Sequence, residues 1–294
     1  MTEHKAFLGG RMVRHKTVRL GLLAISGLAL LALAVACGGE KAGGPTVAPT
    51  AMPTVMSTPF VTPVTTDCVP QAPLEGQANV FHNPGFESGR QPWCSLHLGE
   101  VPSFQVSQDY AHSGQSSAYL QMRVPAEEAG NAKVFYLVQE VTPKQLPELI
   151  SGYYRVENWT KGTPKQYLQF VVILCRQGAA GDCDLGATNL PGEYNHQIRY
   201  LLAGISEEPF AIANAHFVFL SKDEPKQGEW VYFERNIKQD FQQLWGAVPE
   251  GFDKMRVLFE VRYDDKQAGP SPANADVYYD DLYMGPASEN PNKP

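Results

Sequence analysis

Residues 255–263 read MRVLFEVRY, and their alternation decides the fold. Met255, Val257, Phe259, Val261 and Tyr263 share one face, while Arg256, Glu260 and Arg262 share the other. A period of two, with large apolar side chains on one side only, describes a strand with one face in a core and one toward water, as antiparallel sheets allow. Gln166–Cys175 repeats the pattern, with Leu168, Phe170, Val172 and Leu174 opposing Tyr167 and Gln169. Working outward, β-branched and aromatic runs recur at 118–123, 133–141, 150–157, 196–202, 215–220, 230–238 and 276–283, separated by Gly, Pro, Asn and Asp. That succession predicts an all-β sandwich or barrel. The remaining length falls into loops near 176–195, 203–213 and 239–254, with a helical turn expected at 241–245.

Upstream, residues 45–66 read PTVAPTAMPTVMSTPFVTPVTT, with recurring proline and no charge. Such a segment cannot build a core and is expected to act as a semi-rigid stalk. Further upstream, Lys5, Arg11, Arg14, Lys16 and Arg19 precede an uncharged apolar stretch, 20–36, which ends in Leu33-Ala34-Val35-Ala36-Cys37-Gly38-Gly39. The basic, apolar, small-residue order is that of a secretory signal. Ending on cysteine, it resembles a bacterial lipoprotein signal peptide, although Ala34 stands where that family more often has leucine. The resemblance implies cleavage before Cys37, acylation of Cys37 with palmitate-type chains, and tethering to a bacterial cell membrane outside the cytoplasm. An uncleaved anchor is the alternative, since about 17 apolar residues lie at the lower limit for spanning a bilayer. The expected organisation is a signal at 1–36, a stalk at 37–67, a β-sandwich at 68–286 and a disordered tail at 287–294.

The chain carries 24 Lys and Arg against 31 Asp and Glu, a formal net charge of −7. Removing the leader takes away five bases and one acid, leaving net −11. With no basic cluster to override that balance, nucleic acid is not an expected partner. Besides Cys37 there are four cysteines, Cys68, Cys94, Cys175 and Cys183. Their even number, in an oxidising compartment, suggests two disulfides with three possible connectivities. Cys175 and Cys183 flank a short Gly-containing loop and would close locally, leaving Cys68 with Cys94.

The domain opens with Asn83-Pro84-Gly85-Phe86-Glu87-Ser88-Gly89 followed by Pro92-Trp93, continues with Ala111-His112-Ser113-Gly114-Gln115-Ser116-Ser117-Ala118-Tyr119-Leu120, and closes with Val277-Tyr278-Tyr279-Asp280-Asp281-Leu282-Tyr283. In that order these motifs resemble the galactose-binding-like jelly rolls, in particular the carbohydrate-binding modules appended to bacterial glycoside hydrolases. The resemblance covers about residues 79–285. It implies a structural calcium ion held by Glu87 and Asp280, with Asp281 as the alternative carboxylate; carboxylate and carbonyl oxygens suit that hard cation. Independently of any family, Phe86 and Trp93 read as apolar plugs for one end of a sandwich. Gly114 reads as a turn glycine free to take positive φ.

No serine nucleophile elbow, zinc-protease helix motif, phosphate-binding loop or dinucleotide fingerprint is present. His82, His97, His112, His196 and His216 are scattered without metal-ligand spacing. Binding without catalysis is the expectation. Sugars are held by aromatic rings against C–H faces and by planar polar groups. The sequence offers both at Tyr153, Arg155, Tyr167, Gln169, Gln197, Arg199, Glu260 and Arg262, with Trp159 on a following loop as a rim platform. Arg155, Tyr167, Gln169, Arg199, Glu260 and Arg262 are expected to share one solvent-facing sheet surface. The partner expected from these residues is a glycan such as a cell-envelope polysaccharide. The alternative is a structural or adhesion module contacting another protein, in which the same side chains form ordinary cross-strand pairs.

Overall fold

A computed structural model describes residues 68–293 except 96–102, 129–131, 177, 179–182, 184–194 and 265–270. The leader with Cys37 and the stalk lie outside the described residues. Two antiparallel-dominated sheets face each other. One has five strands in the order β1 (Gln105–Ser107), β2 (Ser117–Val124), β11 (Ala273–Gly285), β4 (Leu149–Thr160) and β9 (Trp230–Arg235). The other has six: β3 (Lys133–Val141), β10 (Lys254–Tyr263), β5 (Gln166–Cys175), β6 (Asn195–Ala203), β8 (Ala215–Phe219) and β7 (Phe210–Ile212). The β6–β8 pair is parallel; every other strand pair is antiparallel.

The core lies between the inner faces, which are the apolar faces of the sequence pattern. Met255, Val257, Phe259, Val261 and Tyr263 of β10 meet Leu168, Phe170, Val172 and Leu174 of β5, Ile198 and Tyr200 of β6, and Leu120, Val156, Val277 and Tyr279 from the facing sheet. Phe86 and Trp93 plug one end, with ring centroids 5.4 Å apart and Trp93 edge-on to Phe259 at 6.1 Å. Both disulfides form as expected, Cys68–Cys94 and Cys175–Cys183.

The chain departs from the sequence reading in three places. The helical turn is a full helix, α1 (Ile237–Trp245), with the Asn236 side chain accepting from the Gln239 N–H and Gly246 closing it at φ 79°. Two three-residue strands, β1 and β7, lie outside the runs read from sequence. The expected tail is hydrogen-bonded instead: Asn290 Oδ1 accepts from the Ser151 hydroxyl at 2.9 Å, and Asn292 Nδ2 donates to the Asp281 carbonyl. Among the described residues, no helix is long and apolar enough to cross a membrane.

Candidate functional site

Six of the nine nominated ligand residues gather on the outer face of the six-stranded sheet. Strand register places Glu260 of β10 directly opposite Gln169 of β5, and Arg262 opposite Tyr167. One strand further, Arg199 of β6 pairs with Val171, and Gln197 pairs with Ile173. Beyond β6, Arg199 pairs with Phe217 of β8, which pairs in turn with Phe210 of β7. The face therefore grades from polar on β10 and β5 to aromatic at the β8–β7 edge. Phe210 and Phe217 stack at 4.2 Å, and the Arg199 guanidinium lies 5.3 Å from the Phe217 ring centre.

This face is not the open surface that alternation predicted. Gln169, Gln197 and Glu260 are fully buried, and Arg199 and Tyr167 are 7% and 8% exposed. Alternation fixes which side a residue takes, not whether that side is covered. Val138, Val171, Ile173 and Leu258 share the outer face with the polar residues, and both disulfides pack against them in a second apolar cluster. The sandwich thus buries part of both sides of one sheet.

Burial makes the polar cluster electrostatically tight. Gln169 Nε2 donates to Glu260 Oε2 at 2.5 Å, and Arg262 Nη1 lies 3.6 Å from the same oxygen. Arg262 Nη2 also donates to Asp264 Oδ2 at 3.3 Å. Arg199 donates to Gln197 Oε1 at 3.0 Å, and Gln197 donates to Asn195 Oδ1. Burial pushes the Tyr167 phenol above its ordinary value, and it pulls the Arg199 guanidinium below its own despite the nearby Glu260 charge. On the β10–β5 pair, Glu260 Oε1, Gln169 Oε1 and Arg262 Nε are buried without a hydrogen-bond partner. Leaving such atoms unpaired costs about 1–3 kcal/mol each.

The remaining three nominated residues lie elsewhere. Tyr153 and Arg155 belong to β4 in the five-stranded sheet, on the opposite side of the sandwich. There Tyr153 stacks on His112 at 3.6 Å, while Arg155 sits over the Tyr110 ring at 4.2 Å and pairs with Glu157. The expectation of one shared face including Arg155 is therefore wrong, because strand parity cannot reveal sheet membership. Trp159 is not on a loop but near the end of β4. Asn158 has φ 53°, and the β4–β11 register shifts between Asp276 and Asn274. Such an irregularity reverses parity, so Trp159 packs against the core and donates from Nε1 to Glu224 Oε2 at 2.8 Å. It is half-buried there, between the core and Glu224. Sequence reading missed the aromatic edge, Phe210, Phe217 and Phe219; the signal that could have found it is their alternation on either side of the short 213–214 turn.

Glu87, Asp280 and Asp281, which the resemblance nominates for calcium, converge on the loop 112–116. Their carboxylates accept hydrogen bonds, most of them from that loop. Glu87 Oε1 accepts the N–H groups of Gln115 and Ser116, both at 2.9 Å. Asp280 Oδ2 accepts from His112 N at 2.7 Å and Ser113 N at 3.2 Å, and its Oδ1 accepts from Asp281 N at 2.7 Å. Asp281 binds His112 Nδ1 and the Ser113 hydroxyl, each at 2.6 Å. Burial, then the neighbouring Asp281 charge, pushes the Asp280 carboxyl up to about 7 against the pull of its three backbone donors. Gly114, at φ 63°, takes the left-handed position expected of it, and a Cβ there would collide with the Glu87 carboxylate. No cluster of three or more His, Cys, Asp or Glu side chains among the described residues has metal-holding geometry. In this arrangement the three carboxylates cap the 112–116 loop.

No known family model and no curated protein matches the chain. Solved structures with some similarity include carbohydrate-binding modules, a bacteriophage tailspike domain and a xylanase. One is a family 61 module in complex with β-1,4-galactotriose, 14% identical over 71% of this chain and 98% of that one, TM-score 0.37. A family 16 module is 15% identical over 70% and 99%, TM-score 0.35. A family 22 xylan-binding domain from Paenibacillus barcinonensis is 14% identical over 69% and 92%, TM-score 0.34. Likeness at this level carries no weight for ligand or residue roles, and the fold rests on the sheet topology itself.

Proposed function

We propose that the domain is a non-catalytic carbohydrate-binding β-sandwich, and that it works outside the cytoplasm on a lipid anchor at Cys37. The observation that supports glycan binding is the buried cluster of Glu260, Gln169 and Arg262, with unpartnered polar atoms, grading into the Phe217–Phe210 aromatic edge. Planar hydrogen-bonding groups beside apolar rings are what a sugar needs, since its hydroxyls want paired partners and its C–H face wants an aromatic surface. The same groups make poor acid–base machinery. Glu260 is already bonded to Gln169 and close to Arg262, so it is engaged within the sheet and not set facing a second carboxylate across a water, as glycoside hydrolysis requires of its pair.

The test is a polysaccharide and oligosaccharide binding panel with the purified mature protein. Binding is expected with a dissociation constant on the order of 10 μM to 1 mM, about −4 to −7 kcal/mol. Arg262→Ala should weaken it at least tenfold while the protein still melts cooperatively. Absence of binding to every glycan at millimolar concentration would defeat the reading and leave a module that contacts protein.

A further inference from the structure

A cleft of about 1270 Å³ opens at one end of the sandwich, where β3 and β11 finish and β4 and α1 begin. None of the outer-face polar residues described above lines it. Pockets for small molecules usually measure about 300–1,000 Å³, so this space suits a length of polymer better than a metabolite. Two kinds of side chain make its surface. Val80, Pro143, Leu146 and Pro147 are buried and aliphatic. Gln77, Gln145, Gln239 and Gln242 are exposed, and their side-chain amides have no hydrogen-bond partner among the described residues. The charges nearly cancel, with Lys144 and Lys238 beside Glu75, Glu148 and Glu289.

We infer that this cleft takes an extended, uncharged stretch of a partner polypeptide, at a site separate from the glycan site. Each peptide unit of an extended chain carries one N–H donor and one C=O acceptor that the chain itself leaves open. A glutamine amide offers the matching acceptor and donor in one plane, so it can pair with a peptide unit through two hydrogen bonds. The aliphatic part of the cleft takes the apolar side chains of such a segment, where their burial is favourable. Other polymers fit less well. A sugar wants an aromatic ring against its C–H face, and none of the described lining residues is aromatic. A polyanion such as a nucleic acid wants an excess of basic groups, and here three glutamates stand beside two lysines.

The experiment is selection of displayed random linear peptides on the immobilised mature protein, followed by calorimetric titration with end-blocked synthetic forms of the enriched sequences. The enriched peptides should be poor in charge, and N-methylation of their backbone amides should weaken binding at least tenfold. The double variant Gln145→Ala, Gln242→Ala should also weaken it at least tenfold, with an unchanged melting curve, since both side chains are exposed. The pair Gln77→Ala, Gln239→Ala, on other segments of the cleft wall, repeats the test should the first variant fail to fold. Binding of oligosaccharides should be the same in wild type and variants. No enrichment over a blank surface, enrichment of strongly charged sequences, or equal binding of the enriched peptides by the variants overturns the inference and leaves the glycan reading untouched. Loss of oligosaccharide binding in the double variant would overturn it differently, by making the cleft a glycan site.

Discussion

Glu87 accepts two backbone N–H groups with one carboxylate oxygen, and that arrangement has a measurable consequence. Glu87→Ala should strip both partners from the 115–116 turn and destabilise the domain by about 1–3 kcal/mol in urea unfolding. If the capping role is complete, a chelator should leave the wild-type melting curve unmoved. A fall in melting temperature on chelation, absent from Glu87→Ala, would instead restore calcium to this loop through mass action. A second residue-scale prediction concerns His196 and His216, which both stand edge-on to Trp245, at 5.3 and 4.4 Å. Burial holds both imidazoles below the ordinary value of 6.5. The unfolded chain therefore takes up protons first as pH falls, so their contribution is full above about pH 6.5 and is lost below it. Asp280, raised to about 7, acts in the opposite sense over the same range. The measurement is thus the stability difference between wild type and a His196→Gln, His216→Gln variant from pH 8 to 5. That difference should shift in favour of the variant as pH falls; a flat difference would refute the assignment. Alternation alone placed Tyr167, Gln169, Glu260 and Arg262 on one face. It could not see that apolar neighbours and disulfides cover that face, or that the Asn158 bulge turns Trp159 inward.

The elements themselves were legible wherever a strand was long enough to show its period. Lys133–Val141 and Gln166–Cys175 were read with their observed bounds, and β10 gained only Lys254. What escaped was set by tertiary contact. The helix α1 has a short amphipathic pattern, yet Asp240 within it accepts from the Tyr200 hydroxyl at 2.9 Å and from Arg235 Nε at 3.0 Å, tying helix to both sheets. Those partners are 40 and 5 residues away and invisible to a local window. Asn236→Ala should remove the cap at the start of this helix and cost about 1 kcal/mol in chemical unfolding. An unchanged midpoint would mean that the Asp240 contacts alone hold the helix. The disulfides were legible from parity and compartment. By loop-closure entropy, the 8-residue Cys175–Cys183 separation is worth about 2.5 kcal/mol and the 26-residue Cys68–Cys94 separation about 3.5 kcal/mol. Paired Cys→Ala variants should rank in that order; the reverse ranking would show that packing against the outer face, not chain entropy, dominates.

At the scale of the whole molecule, the candidate site lies on one sheet, and the N-terminal sequence is proposed to direct where that site is displayed. The two parts are tested separately, because lipidation at Cys37 makes no use of the sandwich. Residues 20–36 are uncharged and end in small residues before Cys37, a composition that suits both a cleaved lipoprotein signal and a marginal membrane span. The readings diverge at the sulfur atom. If Cys37 is acylated and becomes the first residue, metabolic labelling with palmitate should mark the wild type and not Cys37→Ser, and the mature wild-type mass should lack residues 1–36. The variant should accumulate as unprocessed precursor, because the recognition sequence lacks its cysteine. If 20–36 is instead an uncleaved anchor, both proteins keep the leader, neither takes label, and both stay in the membrane fraction. Two acyl chains are the reason that a cleaved protein would remain bound at all, since each buried methylene adds about 0.8 kcal/mol and one chain alone gives only marginal attachment. A wild type that is cleaved yet released to the soluble fraction would therefore refute lipid anchoring without disturbing the case for secretion.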